Sequence, residues 1–555
     1  MGSASRGRVG ASHEGSGRIA ASRLPGDSRR TPGQADRSVT VPTEHREVEY
    51  KLRVPSEFLL PDLQADGLIG SSAAQEPFDM AAVYHDTASL SLIRWGATLR
   101  RRTGGSDEGW HLKLPVAGAS SASRDEIRLP LAAGTVGAVP AALVDIISPL
   151  IRGERLLPQA TVRTLRAPQV LHDRNGVPLI ELVDDEVVVL DASDNVVTQF
   201  REIELELVDH LRPHAEAHLD AIVARLVQAG AHVQSLSKAA SALGERAAAP
   251  SDVPLLDWPR EYAPASDALR AVISTHVRHF ILSDVAVRRG LPDSVHQMRV
   301  AARRLRCALK NFAPLLDEEW ASGLAGELAW VARELGAIRD TEVLLERLDR
   351  HADRLGPADG ALAKAVIDHR LRQRLASARS GALGALRSDR HEWLLDDLVA
   401  AAASPTSSER ADAPCVDVLP PIIDHAWHAL ESAMSALRVD GPDEEWHEAR
   451  IKAKRTRYAV EAVAPTFGKR SWRFAEALAE LTEALGEHQD SSVAQGLLRE
   501  LAAGDLVDGS TAFALGRLHG FEAEQAAVAR RQIIIGWPEV IRRARRSGLV
   551  RHAGR

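Results

Sequence analysis

From residue 44 to about 240, apolar and charged residues tend to alternate with a period of two; from 264 to 546, apolar positions return every three or four residues. The first pattern predicts strands at 44–53, 80–86, 97–103, 109–114, 123–130, 178–190 and 198–208, with helical interruptions near 137–152 and 213–229. The second predicts an all-α region rich in Ala, Leu, Arg and Glu. Residues 241–263 carry several prolines and read as a linker. A Ser/Pro-rich break at 403–414 divides the helical half into parts of about 264–402 and 415–546. Residues 1–43 are rich in Gly, Ser and Arg without an apolar run, which predicts a disordered tail, and 547–555 read as a second, short tail.

The two helical parts repeat one another. The stretch from His296 to Arg306 aligns without gaps to that from His447 to Arg457, 151 residues on. Leu335-Gly336-x-x-x-Asp340 is matched by Leu485-Gly486-x-x-x-Asp490, 150 residues on, and both read as turns. Two signatures at one spacing predict two similar helical bundles related by a pseudo-two-fold.

Composition narrows the function classes. The 555 residues are 45% hydrophobic and 26% charged, with net charge −7, so no global field selects nucleic acid or an anionic membrane. The two cysteines, Cys307 and Cys415, make neither a disulfide framework nor a cysteine-rich zinc site, which suits the reducing cytoplasm. No apolar run reaches the ~18 residues of a membrane span.

Charge within the predicted strands is more specific. In Glu47-Val48-Glu49-Tyr50-Lys51, two carboxylates and an ammonium share one strand face. Carboxylates bind hard cations such as Mg²⁺ or Mn²⁺ and lysine binds phosphate oxygens, so a metal–polyphosphate complex would neutralise all three. Rows of the same period recur at Arg100 and Arg102, at Lys113, at Arg124, Glu126 and Arg128, and at Glu202, Glu204 and Glu206. One such row is ordinarily the wet face of an antiparallel sheet. Five rows together point to a barrel or tunnel whose lumen they share.

These stretches resemble the CYTH domain, the triphosphate tunnel fold, over residues 44–240. The resemblance rests on Glu47-x-Glu49-x-Lys51, Val83-Tyr84-His85-Asp86-Thr87, Gly96-Ala97-Thr98-Leu99-Arg100-Arg101-Arg102, Trp110-His111-Leu112-Lys113, Glu202-Ile203-Glu204-Leu205-Glu206-Leu207 and Ser235-Leu236-Ser237-Lys238. It implies a closed antiparallel tunnel that binds triphosphates with divalent metal, Mg²⁺ or Mn²⁺. By resemblance, Glu47, Glu49, Glu204 and Glu206 would hold metal, with Asp185 or its neighbour Asp184 as a further carboxylate, Asp185 preferred. Lys51, Arg100, Arg102, Lys113, Lys238 and either Arg163 or Arg166, the latter preferred, would grip phosphate oxygens. Glu47, Glu49 and Lys51 would form the catalytic group, Lys51 binding phosphate or helping to position the nucleophile.

In the helical half, His296, Arg299, Arg303 and Arg306 fall on one helix face, and His447, Arg450, Lys454 and Arg457 copy that spacing. Arginine one turn from each histidine disfavours a metal and favours an anion. Residues 264–546 resemble the CHAD domain, a helical module associated with inorganic polyphosphate, and these eight residues would carry that binding. His276 and His279 are candidates for the same basic surface, whereas Asp340 and Asp490 read as structural partners of the basic helices.

The expected architecture is multidomain α+β: an N-terminal antiparallel β-tunnel with flanking helices, then an all-α domain of two repeated helical bundles. The expected function is that of a cytoplasmic, metal-dependent inorganic triphosphatase with a polyphosphate-binding helical domain. Alternatives are a non-catalytic polyphosphate-binding protein, or thiamine triphosphatase or adenylate cyclase chemistry in the same tunnel. The basic stripes lack interleaved aromatic residues, which argues against a nucleic-acid partner. The sequence sets no oligomeric state.

Overall fold

The computed structural model describes residues 43–551 apart from 106, 117–122, 210–214, 235–237, 244 and 505–506, and leaves out the side chains of 43–48, 123, 239, 241, 242 and 245. The tail expected over the first 43 residues thus lies outside the described residues but for Thr43, the first residue of a strand.

Ten strands form the first half: β1 (Thr43–Val54), β2 (Ser71–Ala74), β3 (Phe78–Asp86), β4 (Thr98–Thr103), β5 (Gly109–Pro115), β6 (Ser123–Leu129), β7 (Leu157–His172), β8 (Pro178–Asp191), β9 (Val196–Leu207) and β10 (His232–Gln234). They run in the order β1-β6-β5-β4-β3-β7-β8-β9, and β9 returns to β1. Closure depends on the length of β1: Thr43–Val48 pair with β6, and Glu49–Val54 pair with β9. A closed antiparallel barrel results, with β2 added to β7 and β10 to β1.

Residues opposite one another in an antiparallel pair share a face. Lys51 faces Glu204, Glu202 faces Asp185, Asp185 faces Arg166, Tyr84 faces Arg100, Arg100 faces His111, and Lys113 faces Glu126. One continuous surface follows from these pairs, the inner one, and it carries the charges. The opposite parity points outward and is largely apolar where helices cover it. Leu52, Ile203, Leu205 and Leu182 pack there with Leu219, Ile222 and Leu226 of a covering helix (Ala215–Gln228). Leu99, Leu112, Leu114 and Ile127 join Leu143, Ile147 and Leu150 of a second helix (Ala141–Ile151).

The sequence reading contained no strand over 157–172, yet β7 is central, pairing with β3 and β8. Its two prolines hide it, because proline cannot donate to a ladder. Pro168 sits where β7 passes from β3, whose pairing ends at Arg166, to β2, whose pairing begins at Gln169; Pro158 sits at a register shift against β3. The short strands β2 and β10 also went unread.

With α1 (Ser91–Arg94), α2 (Ala141–Ile151), α3 (Ala215–Gln228), α4 (Lys238–Leu243) and α5 (Glu245–Ala248) belonging to the first half, the helical half runs through α6 (Ala265–Arg288), α7 (Ser294–Asn311), α8 (Glu318–Glu334), α9 (Gly336–Ala352), α10 (Pro357–Leu386), α11 (Asp389–Ala403), α12 (Cys415–Ala436), α13 (Asp443–Phe467), α14 (Lys469–Ala502) and α15 (Gly509–Ser547). The repeat is visible in α6–α7 and α12–α13. It then diverges: α8 and α9 together match the single helix α14. Leu485–Asp490, read as a turn, therefore lies inside a helix, and Leu335–Asp340 marks the α8–α9 junction and the start of α9. Gly486 costs about 1 kcal/mol of helix propensity relative to alanine, and the buried Leu485 and Leu481 beside it offset that.

The connecting stretch is docked. Val253 is fully buried, Trp95 Nε1 donates to Asp252 Oδ1 at 2.9 Å, and Arg278 lies over the Trp95 ring and donates to the Val253 carbonyl. Beyond α15, Leu549 and Val550 are buried in the same apolar cluster as α12 and α13.

Candidate functional site

Two charged regions stand out, the barrel lumen and the face between α7 and α13. In the lumen, Lys51 Nζ lies 2.9 Å from Glu49 Oε1 and 3.0 Å from Glu204 Oε1. Lys238, the first residue of α4, reaches in from outside the strands to Asp185, to Glu204 at 3.1 Å and to Glu202 at 3.3 Å. Arg166 holds Asp185 bidentately at 2.9 and 2.7 Å and donates to Glu204 Oε2 at 2.8 Å. Glu204 is thus shared by three cations. Burial alone would raise its pKa, but Lys238, Lys51 and Arg166 outweigh burial and hold the carboxyl well below its ordinary range. Glu49 behaves alike: burial opposes ionisation, but Lys113 and Lys51 bring its pKa down to about 2.

Across the lumen, Arg100 donates to the Tyr84 hydroxyl at 3.3 Å and stands 3.8 Å from Glu126. Lys113 lies 3.6 Å from Glu49 and 3.8 Å from Glu126. Arg102 pairs with Asp107, and burial, then repulsion from Arg100, pushes the Arg102 pKa down to about 10. Glu49, Lys51, Tyr84, Arg100, Lys113, Arg124, Glu204 and Lys238 line one cavity of about 240 Å³. Ala82, Tyr84, Val162, Val187 and Val189 pack as an apolar cluster on the same inner face, so only part of the lumen is charged.

Asp185 rather than Asp184 faces inward; Asp184 pairs with Arg201. Arg166, not Arg163, is the partner of Asp185 in the lumen. Asp185 and Arg166 sit behind the cavity wall, and Glu206 lies opposite Glu49 in the β1–β9 register. Glu47 is opposite Arg124; its side chain lies outside the described residues, as do Ser235, Leu236 and Ser237 of the Lys238 motif. The resemblance left out Tyr84, Glu126, Glu202 and Asp107 as site residues. Tyr84 stood in a quoted motif, and Glu126 and Glu202 stood in quoted charge rows, but only closure shows that these rows meet.

Among the described residues, no three His, Cys, Asp or Glu side chains converge as a metal set. The Glu49–Glu204 pair is bridged by Lys51 instead. The donor chemistry nevertheless suits a hard divalent cation: the candidates are all carboxylates, and Glu202 Oε1, buried without a hydrogen bond, has the Lys238 ammonium 3.3 Å away as its ion-pair partner.

In the helical half, α7 packs on α13 and brings the two basic stripes together. Arg299 donates to Asp340 at 2.9 Å, and Arg303 Nε donates to the Tyr458 hydroxyl at 2.8 Å. Burial, then Arg450 and Arg303, push the Lys454 ammonium down to about 7. Arg450 is lowered by burial and Asp490 is raised by it, the latter despite Arg450 beside it. Cations held this close, and short of solvent, favour an anion. His296 is lowered by burial and by Arg339. His447 engages Gln489 at 2.6 Å, and Arg306 Nε is buried without a hydrogen-bond partner. Arg457 turns to Glu461 and Thr482. His279 is lowered by burial, and His276 is pushed to about 3 by burial and Arg304, which keeps it neutral.

The CYTH domain family matches residues 45–223 and the CHAD domain family residues 271–499. An uncharacterized protein of Mycobacterium tuberculosis (strain CDC 1551 / Oshkosh), MT2285, is 34% identical over 513 residues, 89% of this chain and 96% of its own. Among solved structures, PptA from Streptomyces chartreusis is 27% identical with a TM-score of 0.44, over 50% of this chain and 100% of its own. A CHAD domain from the plant Ricinus communis is 30% identical with a TM-score of 0.43, over 52% of this chain and 96% of its own. No helix among the described residues is long and apolar enough to cross a membrane. With both domain families matched in this order, the chain belongs to the proteins in which a CYTH domain is followed by a CHAD domain.

Proposed function

We propose that this protein hydrolyses inorganic triphosphate or a related polyphosphate in the barrel lumen, with Mg²⁺ or Mn²⁺, and that its helical cleft binds polyphosphate. The observation that carries the reading is that Lys51, Arg100, Lys113 and Lys238 line the same cavity as Glu49 and Glu204. Cations alone suffice for an anion. Carboxylates beside them make sense when a divalent cation accompanies the anion, and CYTH proteins generally use such ions.

Entry of a triphosphate exchanges partners. Phosphate oxygens take over Lys51 and Lys113, which releases Glu49 from the two ammoniums that now hold it. Glu49 and Glu204, with Glu47 and Glu206, are then the residues to hold metal. The bound divalent ion would neutralise phosphate charge and help to activate water. Arg166 and Asp185 keep Glu204 and Lys238 in place from behind the wall. During in-line displacement at the terminal phosphorus, Arg100, Lys113 and Lys238 stabilise the charge that builds on equatorial and leaving oxygens.

Phosphate release tests this. Inorganic triphosphate, long-chain polyphosphate, thiamine triphosphate and ATP are each offered with Mg²⁺ or Mn²⁺, beside a Glu49→Ala/Glu204→Ala control. Metal-dependent turnover of inorganic triphosphate or polyphosphate, lost in the control, is the expected result. No turnover, with polyphosphate still bound and binding lost in Arg303→Ala/Arg450→Ala, would leave a binding protein and overturn the enzyme.

A further inference from the structure

Next to the cationic cleft lies a second cavity, of about 340 Å³, between the connecting stretch and helices α6, α7, α13 and α14. Small-molecule sites are typically about 300–1,000 Å³. Trp258, Trp472 and Tyr458 line it, with Arg304, His276 and Glu461. Trp258 is 37% exposed and Trp472 44%, so two indoles in the wall of a cavity still offer surface to solvent. The polar groups are specific in kind. His276 is neutral, so its imidazole offers one N–H donor and one acceptor. Arg304 donates to Glu461 at 2.8 Å, while its Nε is buried without a partner.

Tyr458 joins this cavity to the cleft. Its ring lines the cavity, and its hydroxyl accepts from Arg303 Nε. Arg303 and Arg304 stand 5.4 and 5.7 Å from the ring centroid. An aromatic end and a cationic end are thus continuous through one residue. Inorganic polyphosphate has no apolar surface and uses only the cationic end; the indoles call for a flat, apolar ring.

We propose that this cavity binds the base of a nucleoside polyphosphate, whose phosphates extend past Tyr458 onto Arg303 and the cleft. The base stacks on Trp258 and Trp472, as bases do on aromatic side chains with little dependence on their identity. His276 and Glu461 meet its polar edge. The placement of the phosphates rests on the reading of the cleft as a polyphosphate site; the base pocket does not.

The test is photo-crosslinking of the full-length protein with ATP bearing an azido-adenine ring, followed by peptide mapping. Label is expected on peptides holding Trp258, His276, Tyr458 or Trp472, with unlabelled ATP and inorganic triphosphate each competing. In Trp472→Ala that label should fall roughly tenfold, the loss of about one stacking contact, while Trp472→Phe keeps it and polyphosphate binding persists in both. Label confined to strand peptides of the barrel, or unchanged in Trp472→Ala, overturns the proposal. Pocket label that ATP displaces and triphosphate does not would keep the base pocket and overturn the phosphate placement, leaving the hydrolase reading of the lumen to its own assay.

Discussion

Lys51 stands opposite Glu204 across the β1–β9 pairing, with its ammonium 3.0 Å from the carboxylate. The seam that closes the barrel is therefore also where the lumen's charges meet. Replacing Lys51 by alanine removes one of the proposed phosphate ligands, while Glu204 keeps Lys238 and Arg166. Triphosphate turnover should fall about 10²–10³-fold, the usual effect of losing one preorganised charge contact. Phosphate release measures it, and an unchanged far-ultraviolet circular dichroism spectrum would separate it from unfolding.

The Lys454 ammonium, with a pKa near 7, predicts a pH dependence of polyphosphate binding. Its folded pKa is depressed from 10.5. The unfolded chain therefore binds more protons between about 7 and 10.5, and this group makes the fold more stable as pH rises through that window. Binding runs the other way, because an anion favours the charged form: affinity should strengthen as pH falls through about 7. Polyphosphate titrations over roughly pH 6 to 9 would show it, and Lys454→Arg should flatten the profile, arginine staying charged throughout.

A fully buried carboxylate in the helical half predicts a stability loss. Glu522 accepts from Arg347 Nε at 3.0 Å and meets His351 Nδ1 at 2.6 Å. Glu522→Ala leaves the buried Arg347 charge with Ser491 and the largely exposed Glu487, at 2.9 Å, as its remaining partners. Breaking a buried pair this way costs about 3–5 kcal/mol, to be read as a lower denaturation midpoint at unchanged slope.

Asp145 of α2 ties the two halves together, accepting from Arg288 at 3.0 Å and from Arg387 at 3.0 and 2.7 Å. Asp145→Ala should cost about 1.5–3 kcal/mol, the range for hydrogen bonds to charged groups. Limited proteolysis should then cut the connecting stretch near 249–263 faster. An unchanged cleavage rate there would mean that apolar packing alone holds the halves.

Legibility in the sequence differed between elements for physical reasons. Period-two charge in β1 and β9 and period-3.6 charge in α7 and α13 are local properties of a chain, and both sets of elements lie where the spacing predicts. β7 escaped because its prolines are harmless only where a neighbouring strand ends or shifts register, which no local pattern reveals. The aromatic cavity escaped likewise: Trp258 and Trp472 sit on different elements and meet Tyr458 and Arg304 in one cavity only when the bundles pack.

The sequence by itself determined which residues carry charge, which faces of strands and helices they occupy, and that the helical half is doubled. These follow from side-chain type and backbone period, which act over a few residues. Tertiary structure alone decided that Asp185 rather than Asp184 enters the lumen, that Glu204 is shared by Lys51, Lys238 and Arg166, and that two basic helices pack against each other. Those outcomes depend on barrel closure and helix docking, which bring residues of different elements, some as far apart in the chain as Lys51 and Glu204, within about 3 Å, the distance at which charge and hydrogen bonding act strongly.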